Sequence, residues 1–185
     1  PITSEADLKG LKYRTVGLAA DLFQAMGASV AQLPGGEIVP AMERGVIDGF
    51  EFNNPTSDRR FGAQDVAKNY MMGSHHQATE YFEIMFNKTK FNALPAEHKA
   101  ILQYAAEAVS SANEWKAMDY YSKDLQELIS KDKVNVLRTP KSVFYAQIKA
   151  WDGLITQLGS DPFMKKVMDS QKAWVRRVVY YNTYN

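Results

Sequence analysis

The chain has 185 residues, 45% of them hydrophobic and 23% charged, and a formal net charge of +1. That length supports one sizeable domain or two small lobes, and a near-neutral chain with no Lys/Arg-rich run lacks the electrostatic footprint of a nucleic-acid binder. Cysteine is absent, which excludes disulfides, thiolate-ligated zinc and thiol catalysis; no apolar run approaches the roughly 18–20 residues that span a bilayer.

The opening PITSEADLKG carries neither an initiator Met nor a leader, and it is expected to be the interior of a longer protein. Ser4 and Asp7 begin a short helical turn that Gly10 ends. Leu11 to Val16 alternates apolar and polar residues around Arg14 and reads as a strand. A helix follows over Ala19 to Met26, closed by Gly27. Ser29 to Leu33 is a second short strand. Pro34-Gly35-Gly36 turns the chain into a helix from Glu37 to Arg44, and Val46 to Phe52 is a third strand. This β-α-β-α-β order predicts parallel strands joined by crossover helices.

Asn53 to Asp58 is a turn cluster, followed by a short helix near Arg60 to Val66 and an edge strand over Asn69 to Met72. Thr79 to Asn87 is aromatic-rich and strand-like. Beyond Pro95 the character changes. Apolar residues recur at helical spacing to about Lys131, in one helix roughly 50 Å long, which is expected to lie along two lobes. Val134 to Leu137 is a strand, Ser142 to Leu158 a helix, and a last helix runs from Pro162 to about Tyr181. The division is a mixed α/β ligand-binding lobe over 1–93 and a helical half over 94–185 that is not an independent domain.

Few residues invite chemistry. Arg14 offers a fork for a carboxylate, or is an ordinary surface cation. Glu51, between aromatics at a strand end, needs a cation or a metal, or a structural Lys or Arg. Gly35-Gly36 could cradle an anion with backbone N–H groups, but Glu37 opposes that, and shaping a turn is the favoured role. His75 and His76 are adjacent and cannot chelate one metal; polar surface or a packed contact accounts for them and for His98. No nucleophile, base and oxyanion-donor set assembles, and no phosphate loop is present.

Three strings, DLKGLKYR (7–14), LPGGEIVPAMERGVIDGFEF (33–52) and FNKTKFNALPAEHKAIL (86–102), together resemble the solute-binding proteins of TRAP (tripartite ATP-independent periplasmic) transporters, and among these the subgroup that binds 2-oxo acids, lactate and similar monocarboxylates. The likeness covers nearly the whole chain. It implies an α/β fold of the type II periplasmic-binding-protein kind, with a parallel-rich sheet, long helices spanning both lobes, and most of the N-terminal lobe outside this chain. It also implies binding without catalysis, in the periplasm, and delivery to membrane permease subunits.

By the same resemblance Arg14 clamps the substrate carboxylate, and Glu51, Phe52 and Asn53 line the substrate. A bridging sodium or calcium ion is held by the Glu51 side chain, the Phe52 carbonyl and Gln77. Asn53-Asn54-Pro55 departs from the Val-Gly-Pro-like string expected there. The long terminal helix can pair two copies into a homodimer. Two other classes stay open on the residues alone: an α/β hydrolytic or lyase-type enzyme using Glu51 and a loop His, and a helical protein-interaction module.

Overall fold

The computed structural model describes residues 1–75 and 81–184. Ser4 opens a 3-10 turn over Glu5–Leu8, closed by Asp7, whose carboxylate accepts from the Ser4 N–H at 2.9 Å. Four donors, the N–H and hydroxyl groups of Thr3 and Ser4, hold Asp7 down at about 2. The chain then enters β1 (Lys12–Arg14) and turns at Gly17, whose φ of 61° suits a residue without Cβ, into α1 (Leu18–Ala25). Next come β2 (Ser29–Ala31), a 3-10 turn at Gly35–Glu37, α2 (Ile38–Glu43) and β3 (Gly49–Phe50).

These strands form a parallel sheet in the order β2-β1-β3. Tyr13 stands between Val30 and Gly49, and Arg14 between Ala31 and Phe50. The β-α-β-α-β order therefore yields the expected crossovers. β3 is shorter than the expected Val46 to Phe52. The Val46 and Ile47 N–H groups turn back onto the Ala41 carbonyl, at 2.9 and 3.4 Å, and only from Asp48 onward does the chain run beside β1.

Helices cover both faces of the sheet. On one, Leu8, Leu22, Phe23, Met26 and Ala28 pack with Val143. On the other, Ile38, Ala41 and Ile47 gather Phe50, Phe52 and Phe61.

The next segment differs from its expected reading. Pro55 to Asp58, expected to be a turn, is the start of α3 (Pro55–Arg60), followed by α4 (Ala63–Val66). Asn54 is the N-cap, accepting from the Ser57 N–H at 3.0 Å, and Pro55 takes the first helical position. β4 (Asn69–Met72) follows. The strand expected over Thr79 to Asn87 does not form where it can be followed: residues 81–87 have no regular structure, and Tyr81, Phe82 and Met85 are exposed. Thr79 and Glu80 lie outside the described residues. Aromatic β-propensity becomes a strand only beside another strand, and none pairs with this segment among the described residues.

After α5 (Lys88–Asn92), α6 (Ala96–Ser130) runs for 35 residues without a break. β5 (Asn135–Arg138) then returns to β4 as a parallel pair in a separate two-stranded sheet, Asn69 facing Asn135 and Met72 facing Arg138. α7 (Lys141–Leu158) packs on α1, and α8 (Pro162–Tyr184) ends the chain, its first turn capped by Asp161 accepting from the Met164 N–H at 2.8 Å. Among the described residues no helix is long and apolar enough to cross a membrane.

Candidate functional site

The carboxyl ends of β1 and β3 open into a cleft of about 540 Å³, lined by Arg14, Val16, Leu18, Glu51, Phe52, Asn53 and Trp151, with Ala19 behind them. This is where an open parallel sheet presents polar groups to a ligand. Arg14 is 5% exposed. Its Nε donates to the Leu33 carbonyl at 2.8 Å, and its Nη1 to the Glu51 carbonyl at 2.6 Å. The same Nη1 lies 3.3 Å from Glu51 Oε1, which also accepts from the Thr15 hydroxyl at 3.1 Å. Among the described residues Nη2 makes no hydrogen bond. A guanidinium fixed along one edge keeps its other edge pre-oriented for a second acceptor.

Phe52 forms the wall beside it, with its ring centroid 5.8 Å from the Arg14 guanidinium carbon and its edge on Phe61. A Cβ on Gly35 would stand 2.8 Å from the Phe52 ring, so this glycine makes room for the aromatic wall. Its partner in the sequence, Gly36, meets nothing. The close approach concerns Gly35 alone, on which the ring at the third strand's exit lies. Asn53 is exposed at the mouth and donates its N–H to Asp58 Oδ1 at 3.2 Å. Behind the sheet end, burial pushes the Tyr13 phenol up, and the Glu51 charge adds to the shift.

Arg14, Glu51, Phe52 and Asn53 are therefore brought to one cleft. Gln77 lies outside the described residues, as does His76. His75 is seated as a packed residue: its ring meets Phe144 at 5.9 Å and Trp151 at 6.5 Å, and its N–H donates to the buried Gln147 side chain at 2.9 Å. Among the described residues no three His, Cys, Asp or Glu side chains gather to hold a metal ion. The Glu51 carboxylate and the Asn53 amide line the cleft, and oxygen donors of that kind are the chemistry a hard cation such as calcium or sodium takes.

The sequence does not single out Thr15, Val16, Leu18 or Trp151 as site residues. The first three could have been found, because they follow a strand that enters a crossover helix, the place where such sheets bind. Trp151 could not, since nothing local says that α7 passes the cleft.

The family described as bacterial extracellular solute-binding protein, family 7 (DctP), matches residues 1–157. The monocarboxylate 2-oxoacid-binding periplasmic protein of Nostoc sp. is 29% identical over 186 residues, covering 100% of this chain and 50% of its own length. A TRAP periplasmic solute-binding protein from Colwellia psychrerythraea, solved with bound calcium and pyruvate, aligns with a TM-score of 0.88 at 30% identity, over 98% of this chain and 56% of its own. One from Pseudoalteromonas atlantica, solved with sodium and pyruvate, gives 0.83 at 26% identity over 100% and 56%. The chain spans about half the length of these relatives. Its parallel sheet with long helices is the lobe architecture of that group, and the chain belongs to the family 7 extracellular solute-binding proteins, the DctP-type binding proteins of TRAP transporters.

Proposed function

We propose that the protein is the periplasmic binding subunit of a TRAP transporter that takes a small 2-oxo or 2-hydroxy monocarboxylate. The observation that carries this reading is Arg14. It is a buried guanidinium at the carboxyl end of the central strand, held by Leu33 and Glu51 on one edge and facing a cleft. Its fork receives the ligand carboxylate, and little ordering remains to be done on binding because the side chain is already fixed.

Glu51 beside it would repel an anionic ligand. A hard cation on the Glu51 carboxylate and the Phe52 carbonyl converts that repulsion into a bridge, with Gln77 as a further oxygen donor. Phe52 and Asn53 bound the ligand on the side of the third strand. Val16, Leu18 and Trp151 offer apolar surface to the rest of it. Related proteins solved with pyruvate carry calcium or sodium, which supports the same pairing here.

The same reading assigns residues 1–93 to the ligand-binding lobe and 94–185 to helices that back both lobes. The partners are a membrane permease and, through α8, a second copy of the chain. Exposed Phe163, Trp174 and Tyr181 on α8 suit such pairing. The reading is binding without turnover, which the match to a solute-binding protein family supports.

Calorimetry on the full-length protein tests this. Pyruvate, lactate and longer 2-oxo acids are titrated with calcium, with sodium, and after chelation and sodium removal. The expected result is 1:1 binding at micromolar or lower Kd that is lost when both cations are withdrawn. Binding indifferent to both cations, or no binding of any of these acids, would defeat the proposal.

A further inference from the structure

Asp58 is a buried carboxylate without a Lys, Arg or His partner among the described residues, although it is 6% exposed. Burial pushes it above the usual carboxylate range even though it accepts several hydrogen bonds. Such a group is costly unless every donor it meets is needed. Its two oxygens face two separate elements. Oδ1 accepts from the Asn53 N–H at 3.2 Å and the Ser57 hydroxyl at 3.4 Å; Oδ2 accepts from the Tyr70 hydroxyl at 2.8 Å. Tyr70 is fixed in turn, because β4 is paired with β5 and places Tyr70 opposite Val136.

The Asn53 N–H belongs to the turn that carries Glu51 and Phe52 out of β3. The turn is also tied by β1, through the Glu51 N–H (3.1 Å to the Arg14 carbonyl) and the Arg14 and Thr15 bonds to Glu51, by Phe52 against Phe61, and by the Asn54 cap of α3; Asp58 adds a tie at Asn53 that reaches the second sheet. We propose that Asp58, which does not line the cleft, is a positioning residue: with Tyr70 it forms a strut from the second sheet to the Glu51–Asn53 turn and sets where Glu51 and Phe52 stand relative to Arg14. This rests on the carboxylate-binding reading of the cleft. A carboxylate suits the strut because one side chain must accept from a backbone amide on one side and a phenol on the other. Asparagine can close the same bridge, its Oδ1 accepting from Asn53 and its Nδ2 donating to the Tyr70 oxygen; leucine of similar size cannot.

The test compares Asp58→Leu, Asp58→Asn and Tyr70→Phe in the full-length protein. Two readouts are taken well below each variant's Tm: Kd for pyruvate with calcium present, and amide exchange at Asn53. Expected are a Kd raised at least about tenfold and faster Asn53 exchange for Asp58→Leu, with Asp58→Asn within about threefold of wild type. A Tm lowered with Kd and Asn53 exchange unchanged would mean ordinary structural support and would overturn the strut. If Asp58→Leu does not fold, Tyr70→Phe decides, and wild-type values for both readouts overturn the proposal. If wild type binds no 2-oxo or 2-hydroxy acid at all, the function proposed above fails, while Asn53 exchange in the variants still decides whether the strut exists.

Discussion

On the proposed reading Arg14 has two roles that the sequence shows as one. As a carboxylate clamp it would be replaceable without harm to the fold, and the sequence alone leads to that expectation for Arg14→Ala. Its donors, however, satisfy the Leu33 and Glu51 carbonyls and face a Glu51 carboxylate whose side chain is 13% exposed. Removing the guanidinium leaves two carbonyls and a mostly buried charge without it, a loss of about 3 kcal/mol or more. Arg14→Ala is therefore expected to lower the unfolding midpoint in urea markedly as well as to abolish binding. Arg14→Lys is the cleaner probe, since it keeps a positive charge near Glu51 but has no planar fork to offer. It should retain most of the stability and bind at least about tenfold more weakly, a loss of ~1.4 kcal/mol. Equal Kd values for Arg14→Lys and wild type would remove the clamp from the binding account.

At the scale of elements, the Glu51–Asn53 turn is positioned by helices that the cleft never touches. α3 begins directly after the turn and is anchored to α6 by Arg59. The Arg59 Nε meets Asp132 at 2.8 Å, and its Nη1 meets Glu127 at 2.5 Å and Asp124 at 3.4 Å. The Asp132 hydrogen bond is the main influence raising Arg59. On the other side, Lys131 first and then Arg59 hold Glu127 below the ordinary carboxylate range. A depressed carboxylate stabilises the fold fully above its ordinary value of 4.5 and loses that contribution as pH falls through its folded-state value. Arg59→Met should thus lower Tm at pH 7, with the gap to wild type narrowing below pH 4.5 and in high salt. A gap that is constant from pH 7 to pH 3 would show that packing of the Arg59 stem, and not the ion cluster, joins α3 to α6.

The whole molecule shows an imbalance. α6 buries only Leu128 among its 35 residues, and Ile101, Tyr104, Val109, Trp115 and Met118 face outward. Tyr81, Phe82, Ile84 and Met85 are exposed together, as are Trp174, Val179, Tyr180 and Tyr184 on α8. Apolar surface on this scale marks a contact face. The 185 residues on their own should self-associate at micromolar concentration in light scattering and bind a 2-oxo acid far more weakly than the full-length protein. A monodisperse monomer with full-length affinity for pyruvate would show that this half is sufficient by itself.

Much of this protein is legible along the chain. The periodicity of the first 52 residues predicts three parallel strands with crossover helices, and the unbroken stretch after Pro95 predicts α6, because these elements depend on spacing, capping and the absence of Gly and Pro. Arg14 and Glu51 stand out for the same reason, since each sits at or next to a strand end, whereas Phe52 and Asn53 are named only by the family resemblance. Asn54-Pro55 also carries the capping signal of α3, a signal that a turn and a helix start share. Tertiary structure alone decided the rest. The aromatic run around Phe82 has strand propensity but no neighbour to pair with among the described residues. Trp151 reaches the cleft only because α7 lies against α1. Asp58 matters only because β4 brings Tyr70 beside it. Local preference selects an element, whereas a hydrogen bond or a wall between residues distant in the chain exists only once the elements have packed, and no residue carries that information by itself.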